Sequence, residues 1–223
     1  MENKRGIEFM TKLKDPISAL THMAGAIASI VGLVFLIIVA ATEGNAFNVV
    51  SCSIYGTSLI LLYTFSTLYH SLTVGERATR VLRKFDHIMI FVLIAGTYTP
   101  ICLGPLRGPW GWSIFGVVWG IAVGGIILKA IANNPPRWLS TGLYLLMGWV
   151  VIVAIVPMIK TFSLVALLWL LLGGIFYTVG AVIYALKKPA LPFKNFGFHE
   201  IFHVFVLLGS ICQYYFVITY AIP

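Results

Sequence analysis

His199 and His203 stand four residues apart, which on a helix puts both imidazoles on one face within about 40° of each other. Ser66 and His70 repeat that spacing elsewhere in the chain. Two imidazoles one helical turn apart can bind one zinc ion together. A third imidazole leaves the fourth position to water, which the metal acidifies toward neutrality. Asp86 is the carboxylate that could hold or deprotonate that water, and Ser66 could hydrogen-bond the water or Asp86. Three imidazoles and no thiolate suit zinc among the divalent ions. The chain has only five histidines, so this grouping is not diluted by many similar residues.

Two further side chains border the set. Residues 199–203, HEIFH, also match H-E-x-x-H, in which the Glu of a metalloprotease acts as general base. No downstream acidic ligand accompanies the match. Glu200 sits about 100° round the helix from His199, so a surface position or a supporting one behind the metal ligands is expected. His22 follows Asp15, Ser18 and Thr21, and is expected to tie its helix to the others by a structural or outer contact. His87 directly follows Asp86, points elsewhere on the helix, and reads as interfacial.

The elements that carry these residues are membrane spans. The chain is 60% hydrophobic and 10% charged, whereas a soluble domain carries roughly a quarter charged residues. Apolar runs of about 20 residues, enough to cross a bilayer, fall at 18–41, 48–72, 86–104, 111–132, 138–159, 163–186 and 197–220. Alternation of the kind that marks a membrane barrel is not found. The fold class is therefore all-α, a seven-transmembrane helix bundle, with a short N-terminal segment (1–17) before one transmembrane domain (18–223). No cleavable signal is expected, because the first apolar run is long enough to be a true span.

Charge orients the bundle. Thirteen of the fifteen Lys and Arg residues fall before span one or in the connections after spans two, four and six. Only Arg107 and Lys160 lie on the other side. By the positive-inside rule the N-terminus is cytoplasmic and the C-terminus outside. The net charge of +8 thus reflects orientation, and a nucleic-acid partner is not expected. Ser66 and His70 then close span two, Asp86 opens span three, and His199 and His203 open span seven, all at cytoplasmic depth. Polar side chains are costly near hydrocarbon and cluster where they have work to do.

Smaller features complete the expectation. Cys52, Cys102 and Cys212 lie in spans without a pairing pattern and read as small buried side chains. Gly116, Gly120 and Gly124 form overlapping GxxxG steps, expected to pack within the bundle, with contact to a second copy as the alternative. Pro100 is expected to distort the third helix near its outer end. Trp110, Trp112 and Trp138 read as interfacial anchors.

Read in order, DPISALTH before span one, STLYH ending span two, RKFDH opening span three and HEIFH opening span seven resemble the bacterial hemolysin III proteins. These belong to the progestin and adiponectin receptor (PAQR) superfamily and are more distantly similar to alkaline ceramidases. The resemblance covers essentially the whole chain. It implies zinc bound by His70, His199 and His203, with Ser66 and Asp86 handling the metal's water. In the family's first motif, Glu-x-x-Asn-x-x-Thr-His, Asp15 and Ser18 replace Glu and Asn here, while Thr21 and His22 match.

The expected function is hydrolysis of an amide or ester bond in a lipid entering from the inner leaflet, in membrane-lipid homeostasis. A receptor or sensor with structural zinc, a cytolysin, and an intramembrane protease using Glu200 are the alternatives. The expected place is the cell membrane, and glycine-rich helix faces leave room for a homo-oligomer.

Overall fold

Every long apolar run becomes a helix, because backbone polar groups in hydrocarbon must be satisfied within their own segment. The computed structural model describes residues 13–132, 136–189 and 196–222. Among these residues seven helices are long and apolar enough to cross a membrane. They are α1 (Pro16–Thr42), α2 (Ala46–Ser71), α3 (Glu76–Leu103), α4 (Pro109–Ile131), α5 (Arg137–Thr161), α6 (Leu164–Leu186) and α7 (Phe198–Ala221). Of the N-terminal segment expected over 1–17, residues 1–12 lie outside the described residues.

Local chemistry sets the helix ends. Pro16 occupies the first turn of α1, where its missing N–H costs nothing. The Asn45 side chain accepts from Phe47 N at 2.9 Å while Asn48 Oδ1 accepts from Asn45 N at 3.1 Å, closing a capping box on α2. Ser163 caps α6 through Ala166 N at 3.3 Å. Lys187, with φ 55°, ends α6 in the left-handed conformation.

The third span departs from the sequence expectation. Its helix starts at Glu76, whereas the apolar run points to residue 86. The intervening residues are charged, which hid a helix that projects beyond the apolar layer. Arg80 pairs with Glu76 one turn back at 3.4 Å, Phe85 stacks on Phe65, and Lys84 Nζ donates to the Ala130 carbonyl at 2.9 Å, at the end of α4. Further along, α3 continues through Pro100 to Leu103.

Consecutive helices pack side by side, and α1 also meets α7. Small residues make that approach possible: the buried stripe of α1 comprises Ser18, Ala19, His22, Gly25, Ser29, Gly32, Leu36 and Ala40. A Cβ on Gly25 would lie 2.8 Å from the Tyr63 ring of α2, and one on Gly32 would lie 2.9 Å from Tyr214 of α7. The opposite face of α1, with Ile27, Val31, Val34 and Ile38, is exposed as a lipid-facing surface requires. Tyr63 and Tyr177 both reach Ser210, at 2.7 and 2.9 Å, joining α2, α6 and α7. The three cysteines are free and buried, as expected.

The GxxxG expectation needs correction. A Cβ added at Gly116, Gly120 or Gly124 would meet nothing within 4 Å among the described residues, so this face of α4 points away from the bundle. The glycines of α4 that pack are Gly125, against the ring of Phe91, and Gly111, against the Cys102 and Leu106 carbonyls. Trp110, Trp112 and Trp138 are exposed near helix ends.

Midway along α5, residues Val150–Ala154 tighten into a 3₁₀ turn. The Tyr98 hydroxyl of α3 bridges the break: it donates to the Gly148 carbonyl at 2.8 Å and accepts from Val151 N at 3.1 Å. The freed backbone groups are thereby satisfied inside the apolar layer.

Candidate metal centre

The end of α2 and the start of α7 come together at the end of the bundle where the basic residues gather. One ring nitrogen from each of His70, His199 and His203 lies within 4.8 Å of the others. His70 Nε2 and His199 Nε2 are 3.2 Å apart. His70 and His203 are buried, at 2% exposure each, while His199 is half-buried.

Tautomers sharpen the geometry. His70 Nδ1 donates to Asp15 Oδ2 at 2.9 Å, so its Nε2 carries a lone pair that faces His199. His203 Nδ1 is buried with no partner among the described residues, an expensive condition for a polar atom. Together the three imidazoles could hold one metal ion. A tetrahedral zinc with nitrogens at about 2.0–2.1 Å holds them about 3.3 Å apart, close to the separation of the His70 and His199 nitrogens. The donor set therefore fits a divalent metal.

The other expected residues take distinct positions. Ser66 Oγ is buried and has no hydrogen-bond partner among the described residues. Ser66 and Asp86 both line the cavity that also receives His199 and His203. The Asp86 carboxylate lies 3.7 Å from His87 Nδ1. That nitrogen instead donates to the Arg83 carbonyl at 2.7 Å, and His87 Nε2 accepts from the Tyr184 hydroxyl at 3.1 Å. Both ring nitrogens of His87 are thus engaged away from the three-imidazole group.

Glu200 faces α1. Its Oε1 accepts from Ser18 Oγ at 3.0 Å, and its Oε2 accepts from Gly197 N at 2.8 Å, so it caps its own helix and ties α7 to α1. Glu200 is not among the residues lining the cavity. His22 is stacked flat on His203 with centroids 3.7 Å apart, and lies edge-on to Tyr63. Neither of its ring nitrogens has a hydrogen-bond partner among the described residues.

Asp15 is the residue whose role sequence reasoning missed. It was visible as a replacement within the first motif, but its contact with His70 crosses from α1 to α2. A carboxylate on the far nitrogen of a metal-binding imidazole fixes the tautomer and raises ligand basicity. The backbone reinforces the join, with Asp15 N donating to the His70 carbonyl at 2.9 Å. Lys14 rests over the Tyr69 ring beside it.

The cavity has a volume of about 360 Å³ and runs between α2, α3, α5, α6 and α7. One end holds Ser66, Asp86, His199 and His203; its wall continues through Leu93, Val206 and Leu170 to Ile155, Met158 and Gln213. From His199 to Gln213 along α7 the rise is about 21 Å. The space is long, mostly apolar and tipped at one end with titratable groups, a common form for a ligand site.

Comparison with known proteins agrees with this architecture. A family model described as haemolysin-III related matches residues 10–214. The chain is 44% identical to the Hemolysin-3 homolog of Bacillus subtilis (strain 168) over 214 residues, covering 96% of this chain and 97% of the relative. It is 43% identical to Hemolysin-3 of Bacillus cereus, covering 92% and 91%. The Monocyte to macrophage differentiation factor of Homo sapiens is 27% identical, with 87% of this chain and 79% of the relative covered.

Proposed function

The chain belongs to the haemolysin-III-related family of multi-pass cell-membrane proteins, and on that footing we propose that it is a zinc-dependent intramembrane hydrolase of lipid amide or ester bonds. The lipid enters from the inner leaflet, and the setting is membrane-lipid homeostasis. One observation carries the reading: His199, His203, Asp86 and Ser66 share the end of a long apolar cavity of about 360 Å³. Such a space suits an acyl chain, with the bond to be cut held at its polar end. The basic residues around that end orient it to the cytoplasm.

His70, His199 and His203 would hold the zinc. When bound, the metal supplies Lewis acidity, polarising a carbonyl and acidifying water. Asp86 accepts the proton of the water whose oxygen adds to the carbonyl carbon. It returns that proton to the leaving nitrogen or oxygen as the C–N or C–O bond breaks. The Ser66 hydroxyl, buried without a partner, is free to donate to the carbonyl oxygen as negative charge develops there. Asp15 holds His70 in the required tautomer. Glu200 supports the site from behind, since both its oxygens are occupied by Ser18 and Gly197. That arrangement argues against a protease mechanism with Glu200 as base.

A second reading is a receptor or sensor in which the same three imidazoles hold a structural zinc. His22 supplies no fourth ligand in this arrangement, because its ring lies 3.7 Å from that of His203 and nearly parallel to it, so their in-plane lone pairs do not converge. The names of two relatives, Hemolysin-3 and Hemolysin-3 homolog, support cytolysis as a further alternative. The outward Gly116, Gly120 and Gly124 face of α4 is proposed as the contact in any homo-oligomer.

The test is turnover of a panel of N-acyl and O-acyl lipids by zinc-loaded protein in vesicles, beside Asp86→Asn. The variant should retain zinc and lose at least about a hundredfold in rate. Loss of zinc in the variant would overturn the base assignment. A zinc-loaded wild type that cleaves no lipid amide or ester would overturn the hydrolase and leave the receptor.

A further inference from the structure

The cavity wall far from the histidines is apolar apart from a few side chains, and one of these is unsatisfied. Gln213 of α7 lines the cavity and is 4% exposed. Its Nε2 donates to the Leu170 carbonyl at 3.1 Å, which fixes the amide orientation. Its Oε1 is buried with no partner among the described residues. Gly173 leaves room for the amide, since a Cβ there would come within 3.0 Å of Gln213 Cδ and still nearer to Nε2.

The neighbouring polar groups of this wall are engaged. The Tyr98 hydroxyl bridges Gly148 and Val151, Thr97 Oγ1 donates to the Leu93 carbonyl, Trp149 Nε1 donates to Thr178 Oγ1, and Tyr177 is paired with Ser210. A buried amide oxygen without a donor is costly. Gln213 lines the cavity, so an occupant of the cavity is a source of that donor.

We propose that Gln213 Oε1 accepts a hydrogen bond from a hydroxyl in the midsection of the bound chain, so that the cavity selects acyl lipids hydroxylated partway along. This rests on the lipid-cavity reading above and names its substrate class. Gln213 lies ten residues beyond His203 on the same helix, a rise of about 15 Å. The hydroxyl therefore belongs well down the chain from the bond that is cut. A hydroxyl elsewhere on the chain would be buried against Leu and Ile side chains and would weaken binding.

Binding, which needs no catalysis, tests this directly. Purified protein in detergent is titrated with stearic acid and with hydroxystearic acids whose hydroxyl is moved carbon by carbon. One position should bind roughly fivefold tighter than stearic acid, as for one net hydrogen bond, and positions a few carbons away should bind more weakly than stearic acid. Gln213→Met should keep stearic acid binding and erase the preferred position. Gly173→Ala, which crowds the amide but retains it, should blunt the preference.

Equal binding of stearic and hydroxystearic acids by wild type would overturn the Gln213 assignment while sparing the lipid cavity. A preference that survives Gln213→Met would overturn it as well. Failure of wild type to bind any of these acids would bring down the lipid-cavity reading and this one with it. Should Gln213→Met fail to fold, the positional optimum and the Gly173→Ala result still decide.

Discussion

Replacing Asp15 should weaken metal binding without touching a metal ligand. The Asp15 carboxylate receives the His70 Nδ1 proton at 2.9 Å, a charge-assisted bond of roughly twice the strength of a neutral one. Removing such a partner typically costs 10–100-fold in metal affinity, or about 1.4–2.7 kcal/mol. The Asp15 side chain is 40% exposed, so solvent screens part of its charge and the low end applies. Asp15→Ala should therefore raise the zinc dissociation constant about tenfold. Asp15→Asn keeps an acceptor oxygen but not the charge, and should fall between that variant and wild type. The assay is competition for zinc against a chromophoric chelator in detergent, with His70→Ala as the reference for loss of a ligand. Unchanged affinity in folded Asp15→Ala would refute the argument that this carboxylate orients His70 for a metal.

Glu200→Gln should leave the rate on lipid substrates within a few-fold but lower thermal stability. It weakens two hydrogen bonds to a charged group and should cost about 2 kcal/mol, read as a fall in the unfolding midpoint. A hundredfold loss of rate with full stability would instead restore Glu200 as a general base. Neighbouring glycines on α4 should differ sharply. Gly124→Ala faces open space and should change stability by no more than about 0.5 kcal/mol. Gly125→Ala drives a methyl into the Phe91 ring and should cost about 1–3 kcal/mol. Thermal unfolding of the pair in one detergent checks both.

Hydropathy alone located the spans, because length and apolarity are the properties a bilayer selects. The i, i+4 spacing of His199 with His203, and the topology that brings His70 beside them, make the three-imidazole group legible in the sequence. The start of α3 was not, since Arg77 to Lys84 read as a charged connection although they continue the helix. The Asp15–His70 contact depends on how α1 lies against α2, and spacing within one helix carries no such information. The same holds for Glu200, whose partner Ser18 sits 182 residues away. GxxxG steps show that a helix can approach something closely, not which side faces the bundle. The cavity is empty space between ordinary apolar residues and leaves no mark in the sequence.

The metal itself is the most direct test. Protein purified in detergent from zinc-replete cells, and the His199→Ala/His203→Ala double variant prepared alongside it, would be measured for metal by mass spectrometry. The account predicts about one zinc per chain in wild type and its loss from a variant that remains folded. A folded wild type without zinc, or a double variant that keeps it, would contradict the site.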